Sequence, residues 1–554
     1  MVPSSFRPAK RLFHPPPSLL ISGDGLAVAV DALPAQLDPR LRARAEQGAA
    51  WVRERAAKGE QVLVVHHIDA DGVTSGAIAA TALERAGVTY RTLAVKSMDQ
   101  VHQELVRESA KSGPEGSAQS ALWFCDLGST AYMQFPDAQR LVCDHHQLVR
   151  DGSEESFPHV NPLLDGLSGE ELSGAGCAYL VAAALDARNL DLLPLALVGA
   201  SADLQDRPRS APAVLGRDGI LLPPAGRTSG FHGANAALLA HGVATGLLSA
   251  RTDLAFFGPQ TRPLRKFLAF AEPAVPTATG SQRTAEAFLL SVGIPLEDGD
   301  GERPWSRLTA DEQRAVRSAL VERLVATGLA ERADRLWRTV VTVVREPPGP
   351  LRELQECGTL LNGTARYGRP EVGLAVARGD RGAAYEEALG LLLDHRKHLA
   401  NALDALARRG VREMTAIQWT HLEDDVLDTV VGIVCGMALD GLGLRRDLAL
   451  IAFAWTPDGR TKVSSRSPHE LQARGIDLAT AMREAAAAFG GQGGGHKGAA
   501  GATIPRGCEA GFIAQVDRAV AAQLGVRLPG TPQPAPATTP ARMRSGGPQT
   551  RLVL

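Results

Sequence analysis

Short apolar segments alternate with helical segments along the first part of the chain, and this alternation constrains the fold more than any other feature. Four segments have the length and the β-branched or aromatic content of buried strands: residues 61–68, 89–95, 121–125 and 140–143. Segments with helical patterning lie around them, at residues 39–58, 73–86, about 99–109 and 192–202. Strands that alternate with helices in this way predict an α/β fold with a parallel sheet.

Acidic and histidine side chains stand where these apolar segments end. The run HHIDADG at residues 66–72 follows the first predicted strand, and Asp126 follows the third. The run DHH at residues 144–146 follows the fourth, and Asp203 ends the helical segment 192–202. Because ligands bind at the carboxyl ends of parallel strands, we expect a functional site at this edge of the sheet.

The first of these groups supports two interpretations. Alternate side chains of an extended loop point the same way, so His67, Asp69 and Asp71 can converge, and neighbouring carboxylates repel unless a cation lies between them. Alternatively, the aspartates cap the helix that is predicted to begin at residue 73. The first interpretation indicates a metal site, and the second indicates only a helix start.

The remaining groups are ambiguous one by one and more informative together. Asp126 or Asp203 alone is typical of a helix cap, and His145 with His146 is compatible with a structural pair of histidines. In combination, the groups supply the ligands that two divalent ions about 3.5–4 Å apart require, with one carboxylate between them.

The C-terminal half repeats the α/β pattern. Residues 384–409 predict a long helix that joins two lobes, and a second α/β pattern starts near residue 415. Gly493, Gly494 and Gly495 can expose backbone N–H groups as an anion-binding nest, with His496 as a further donor; a flexible linker is the alternative. Arg466 follows a predicted strand and can hold a phosphate through two hydrogen bonds, unless it is an ordinary solvated arginine.

Composition excludes several classes of protein. The chain has 59 basic and 61 acidic residues, a net charge of −2, which excludes a uniformly basic nucleic-acid coat and a strongly acidic disordered chain. No apolar run approaches the roughly 20 residues that cross a bilayer, and no signal-peptide core is evident, so a cytoplasmic protein is expected. The six cysteines form no CxxC pair, which favours buried free thiols over disulfides or structural zinc.

Five motifs in order give the chain a family resemblance. They are HIDADG at 67–72, FCDLGS at 124–129, CDHHQ at 143–147, GASADLQD at 199–206 and GGGHKGAAG at 493–501. This set resembles the DHH phosphoesterase superfamily with its DHH-associated C-terminal domain. It is most similar to the archaeal-type branch of the RecJ-like single-strand nucleases, whose first motif begins HxDADG. The similarity extends over about residues 40–525.

The resemblance implies a two-lobed α/β protein: a parallel-sheet DHH domain and a smaller α/β C-terminal domain, joined by a long helix, with a mostly helical insertion. The implied domains are an N-terminal arm at 1–37, a DHH catalytic domain at 38–225 and an inserted helical subdomain at 226–345. A connector with the linker helix follows at 346–410, the DHH-associated substrate-binding domain at 411–527 and a disordered tail at 528–554.

The resemblance also implies roles for individual residues. The implied metal ligands are His67, Asp69, Asp71, Asp126, His145 and Asp203, with Asp126 as the bridge. Asp144 would orient His145, and His146 would face the scissile phosphate. Arg466 and residues Gly493 to His496 would hold the nucleotide from the other lobe.

The implied function is that of a single-strand exonuclease in DNA repair, recombination or replication, using two Mn²⁺ or Mg²⁺ ions. Single-stranded nucleic acid, DNA rather than RNA, would be the partner, with replication or repair proteins as further partners and no membrane. One alternative is a phosphodiesterase acting on short oligoribonucleotides or cyclic dinucleotides, although residues 208–350 exceed what a minimal version needs. Another is a non-catalytic replication scaffold, which the retained acidic residues disfavour.

Overall fold

A computed structural model describes residues 31–111, 120–206, 214–215, 221–222, 230–269, 271 and 273–526. The chain divides into two compact units, residues 1–358 and 359–554. Most of the predicted N-terminal arm (1–37) and the whole predicted tail (528–554) lie outside the described residues.

The first unit is built on a five-stranded sheet in which all four neighbouring pairs are parallel. The strand order is β2-β1-β3-β4-β5. The strands are β1 (Val62–His67), β2 (Tyr90–Val95), β3 (Ala121–Cys125), β4 (Arg140–Cys143) and β5 (His159–Val160). All of β3 is buried, as is β1 up to His66, so the central strands are continuous apolar runs because both faces are covered. The parallel sheet predicted from the sequence is confirmed.

Five helices belong to this sheet: α1 (Pro39–Lys58), α2 (Ala70–Arg85), α3 (Gln100–Lys111), α4 (Gly174–Leu185) and α5 (Leu193–Ala202). Helix α1 has the predicted bounds because Asp38 caps its first turn and Gly59 ends it with a φ of 66°. Helix α2 begins three residues before the predicted start, because the Asp69 side chain accepts a hydrogen bond from the Gly72 amide. This early start determines where Asp71 points.

The rest of the first unit has an apolar core of its own, which includes Phe267, Phe288 and Trp305. Its elements are β6 (Val214–Leu215), β7 (Leu221–Leu222), α6 (Gly233–Ala244), β8 (Leu248–Leu254), α7 (Leu264–Ala269), α8 (Gln282–Ser291), β9 (Glu297–Asp298), β10 (Gly301–Glu302), α9 (Ala310–Ala326) and β11 (Trp337–Val343). Strands β8 and β11 pair antiparallel along seven residues. Thr309 and Glu312 form a capping box at the start of α9.

Helix α10 (Leu354–Arg366) contains the boundary between the units. The second unit continues with α11 (Pro370–Ala377), α12 (Ala383–Arg409), β12 (Arg412–Glu413), β13 (Ile417–His421), α13 (Val431–Gly441), β14 (Ala449–Trp455), β15 (Arg460–Arg466), α14 (His469–Ala473), α15 (Leu478–Ala488), β16 (Gln492–His496), β17 (Ala499–Pro505) and α16 (Glu509–Leu524). The sheet order is β12-β13-β14-β15-β17-β16, with only β13–β14 parallel among these pairs. Separate apolar cores lie on its two faces.

The expectation of free thiols holds for all six cysteines, five of which are buried. Within the described part of the chain, no helix combines the length and apolar character needed to span a membrane.

Candidate metal centre

The acidic and histidine residues that follow the strands of the first unit converge at one edge of the sheet. His67 is the last residue of β1, Asp126 follows β3, and His145 is the second residue after β4. Asp69 and Asp71 lie at the start of α2, and Asp203 follows α5. The sheet and two helix ends therefore bring the six predicted ligands into one neighbourhood.

Asp71 is held by the start of α4. Its side chain is fully buried, and its two carboxylate oxygens accept hydrogen bonds from the backbone amides of Gly174 (2.7 Å) and Ala175 (3.0 Å). Backbone donors at a helix N-terminus stabilise negative charge. The extended-loop premise is wrong for Asp71, since it is already helical, yet the carboxylate reaches the site.

Asp126 adopts a strained backbone. Its φ is 61°, a left-handed conformation that residues other than glycine seldom adopt, and its amide donates to the Cys143 carbonyl at 2.8 Å. Leu204, next to Asp203, has a φ of 63°. Such conformations cost of order 1–3 kcal/mol each and concentrate at functional sites, where the surrounding structure enforces them. Both turns carry a candidate ligand.

Three sets of side chains can each offer three ligand atoms within 4.8 Å of one another. The sets are Asp71, His145 and Asp203; His67, Asp69 and Asp126; and Asp126, His145 and His146. Asp126 and His145 each belong to two sets. Asp126 and His145 are therefore the residues through which the three sets are connected.

The buried ligand atoms lack hydrogen-bond partners. His67 Nδ1, Asp126 Oδ1 and His145 Nε2 are all buried and make no hydrogen bond. His145 Nε2 lies 3.4 Å from Asp126 Oδ1 and 3.2 Å from Asp203 Oδ2. His67 Nδ1 lies 3.0 Å from Asp69 Oδ2 and 3.4 Å from Asp126 Oδ2. Since buried polar atoms are normally satisfied, and since these donors are carboxylate oxygens and imidazole nitrogens, the residues fit divalent cations.

The His145 ring is oriented by a carbonyl that sequence reasoning missed. His145 Nδ1 lies 2.8 Å from the Gly169 carbonyl, to which it donates, so Nε2 carries the lone pair that a cation needs. Gln205 Nε2 donates to the same carbonyl at 3.1 Å, and Gln205 Oε1 accepts from Asn235 Nδ2 at 2.6 Å. Gln205 lies within the GASADLQD motif, and this motif was the sequence feature that could have indicated a role for Gln205 at the site.

Asp144 contacts both histidines that follow it. Its Oδ1 lies 2.8 Å from His146 Nδ1 and also accepts a hydrogen bond from the His145 amide at 2.8 Å. Asp144 thus contacts the backbone of His145 and the ring of His146. His146 keeps 45% of its side chain exposed, whereas His145 keeps 6%, so His146 is the more accessible imidazole.

Electrostatic repulsion among the buried carboxylates of the centre favours the binding of positive charge. Burial raises the pKa of Asp71 well above its usual value, and the nearby Asp126 and Asp203 carboxylates raise it further. Burial alone would lower the pKa of His67 and of His145, but the surrounding aspartates outweigh burial and raise both pKa values well above normal. Without cations, bound protons thus compensate the negative charge of the centre.

This electrostatic balance predicts a pH-dependent effect of Mn²⁺ on stability. Groups whose pKa is raised by folding stabilise the native state below their unfolded pKa and lose that contribution as the pH rises through the folded pKa. Asp71, His67 and His145 all act in this direction, so the metal-free chain should unfold at lower temperature at about pH 8.5 than at about pH 6.5. Mn²⁺ displaces those protons, so its stabilising effect should increase with pH. Thermal unfolding in EDTA and in MnCl₂ measures both; an equal Mn²⁺ effect at the two pH values would contradict the assignment.

The predicted substrate residues of the second unit share one row of its sheet. Arg466 ends β15 and His496 ends β16, and both are paired with Ala499 of the intervening strand β17. The glycines at 493–495 are not a flexible linker, because they lie in β16, the edge strand of this sheet. The Arg466 guanidinium lies against α13, where a Cβ added at Gly432 would be 3.3 Å from Nη2.

Comparisons with known proteins agree with this architecture. Residues 256–337 match the family model of the DHH-CID domain, and residues 417–522 match that of the DHHA1 domain. An uncharacterized protein of Methanocaldococcus jannaschii is 23% identical over 474 residues, which cover 84% of this chain and 94% of that protein.

Solved structures show the same fold at low identity. RecJ from Thermus thermophilus in complex with Mn²⁺ matches with a TM-score of 0.51 at 20% identity, over 86% of this chain and 55% of RecJ. CDC45 from Entamoeba histolytica matches with a TM-score of 0.55 at 9% identity, over 86% of this chain and 99% of CDC45. The chain thus spans about half the length of that RecJ. The DHH-CID and DHHA1 matches confirm the resemblance to the DHH phosphoesterase superfamily, and the RecJ match shows a common fold.

Proposed function

We propose that this chain is a metal-dependent phosphodiesterase and, more specifically, a RecJ-like exonuclease that releases mononucleotides from single-stranded DNA in repair, recombination or replication. The observation that carries the proposal is that Asp126 and His145 each belong to two of the three three-ligand sets at the edge of a parallel sheet. A single-ion site does not need two overlapping sets. The DHH-CID and DHHA1 matches and the RecJ-like fold support phosphodiester substrates.

In this proposal the ligands divide between two Mn²⁺ or Mg²⁺ ions. Asp71, His145 and Asp203 would hold one ion, and His67, Asp69 and Asp126 would hold the other. Asp126 also forms a set with His145 and lies 3.4 Å from its Nε2, so Asp126 would be the ligand that reaches both ions. When bound, such ions acidify water and neutralise charge that develops on a phosphate. The backbone amides that hold Asp71 keep its carboxylate oriented before any ion binds.

His146 is the proposed contact to the scissile phosphate. Asp144 accepts the Nδ1 hydrogen of His146 and raises the His146 pKa against the opposing effect of burial. Because Asp144 holds Nδ1–H, the Nε2–H of a protonated, half-exposed imidazole would be the group that donates to a phosphate oxygen and stabilises developing negative charge. Asp144 is in this way a positioning residue for His146.

A substrate panel tests the proposal. The chain with Mn²⁺ should shorten 5′- or 3′-labelled single-stranded DNA stepwise and leave a blunt duplex intact. Asp126→Asn, purified in parallel, controls for contaminating nucleases. Hydrolysis confined to dinucleotides and cyclic dinucleotides would replace the exonuclease with the small-substrate phosphodiesterase. Complete inactivity on all substrates, with Mn²⁺ bound, would favour a non-catalytic role.

The proposed substrate role of the second unit gives a separate expectation. His496→Ala should raise KM for single-stranded DNA about tenfold, the scale of losing one charge-assisted hydrogen bond, and should leave Mn²⁺ affinity unchanged. Steady-state kinetics and Mn²⁺ titration calorimetry measure the two quantities. A fall in Mn²⁺ affinity at constant KM would remove His496 from the substrate site.

A further inference from the structure

Three buried polar side chains contact the segment 144–146 or one another, and the proposed function gives them no role. They are Ser129, which follows β3; His159, in β5; and Asn161, which directly follows β5. None of the three is exposed to solvent. Buried polar groups of this kind are costly unless every donor and acceptor is satisfied.

The donor and the acceptor of each hydrogen bond among these side chains follow from the groups that they contact. His159 Nδ1 donates to the Glu154 carbonyl at 3.1 Å, so His159 Nε2 accepts from Ser129 Oγ at 3.0 Å. Burial lowers the pKa of His159 to about 4, which keeps the ring neutral and Nε2 an acceptor. Ser129 Oγ in turn accepts from Asn161 Nδ2 at 2.9 Å.

The network ends on His146 and Asp144. Asn161 Nδ2 also donates to the His146 carbonyl at 3.0 Å, while Asn161 Oδ1 accepts from the Leu163 amide. The Ser129 amide donates to Asp144 Oδ2 at 3.0 Å, and Asp144 Oδ1 binds the His146 ring. The network therefore restrains His146 at two points, its carbonyl and its ring.

We propose that Asn161, supported by Ser129 and His159, is a positioning residue that fixes where the half-exposed His146 ring presents Nε2. The inference rests on the proposed function, in which His146 contacts the scissile phosphate. Because nearly half of the His146 side chain is exposed, packing restrains only part of the ring, and the hydrogen bonds supply the remaining restraint. Small displacements of a reacting group lower turnover without weakening the binding of remote parts of the substrate.

Asn161→Asp tests the inference with little change in volume. The carboxylate retains an acceptor for the Leu163 amide but has no hydrogen to donate to the His146 carbonyl. We expect kcat on single-stranded DNA to fall about tenfold to a hundredfold, with KM and Mn²⁺ affinity unchanged. In a His146→Ala background the same change should cause no further loss, because the two residues act together.

Two further variants distinguish a loss of His146 positioning from a general loss of structure. Ser129→Ala keeps the amide bond to Asp144, removes the acceptor for Asn161, and should lower kcat in the same way. Asn189→Asp is the matched control. Asn189 is equally buried, but it donates to the Ala182 carbonyl near the C-terminal end of α4, whereas the start of α4 contacts the metal centre, so kcat should not change. An equal kcat loss from Asn189→Asp, or a full additional loss from Asn161→Asp in the His146→Ala background, would overturn the inference.

A readout independent of turnover separates this inference from the proposed function. In ¹³C-histidine-labelled, Mg²⁺-loaded protein, ring relaxation of His146 should show a rigid ring in the wild type and a mobile ring in Asn161→Asp. The His146 signal is identified by its loss in His146→Gln. A wild type without hydrolytic activity would contradict the proposed function, whereas an unchanged His146 ring in Asn161→Asp would overturn the positioning role.

Discussion

Asp126→Asn should lower Mn²⁺-dependent hydrolysis of single-stranded DNA by about a thousandfold or more. Loss of one group that stabilises charge in the transition state already lowers kcat by up to about a thousandfold. Asp126 is common to two ligand sets, and its buried Oδ1 makes no hydrogen bond. The amide cannot supply the negative charge that two cations would share in the proposed centre. His145→Ala should have a comparable effect, because His145 also belongs to two sets.

The same substitution should not unfold the metal-free chain. Asp126 adds to the repulsion that raises the pKa of Asp71, so removing its charge relieves an unfavourable interaction in the absence of cations. We expect an equal or higher unfolding temperature in EDTA and a smaller increase on adding Mn²⁺. A variant that retains near-normal turnover, or whose stabilisation by Mn²⁺ equals that of the wild type, would contradict the shared-ligand assignment.

Gly174→Ala should disrupt the centre without removing any ligand. A Cβ at Gly174 would lie 2.6 Å from the Asp126 Cβ and 2.7 Å from its Cα, contacts that a side-chain rotation cannot relieve. The Gly174 amide also donates to Asp71. Overpacking of this kind costs about 1–3 kcal/mol of unfolding free energy, and the displacement of Asp126 should abolish most Mn²⁺ binding.

Gly390→Ala supplies the control for this substitution. Gly390 lies in helix α12, and a Cβ there meets nothing within 4 Å. Alanine should therefore leave Mn²⁺ binding unchanged and stabilise the chain by up to about 1 kcal/mol. Denaturant unfolding and Mn²⁺ calorimetry compare the two variants. Wild-type Mn²⁺ affinity in Gly174→Ala would show that the α4 start does not shape the site.

The local parts of the fold were predictable because the information lies in contiguous residues. Strands β3 and β4 and helix α1 have their predicted bounds, since apolar runs and capping residues define them. The strand at residues 492–496 was not predicted from the glycine run, because its strand character comes from pairing with β17. Glycine has little intrinsic strand preference, so no local signal indicates that pairing.

The side chains that meet at the candidate centre could be predicted from the sequence, but the groups that orient them could not. Charged residues after strands indicated where His67, Asp126 and His145 would meet. The groups that orient them are the Gly169 carbonyl, the Gly174 amide and the Asn161 side chain, which come from distant segments. Backbone groups have no residue-specific signal in a sequence, so these contacts require the folded chain.

Anomalous diffraction from Mn²⁺-soaked crystals tests the central claim most directly. We expect two peaks at the carboxyl end of the parallel sheet, about 3.5–4 Å apart, with the Asp126 carboxylate between them. The Asp126→Asn crystal, soaked in the same way, should lose at least one peak. A single wild-type peak, or peaks remote from Asp126 and His145, would contradict a two-ion centre in this chain.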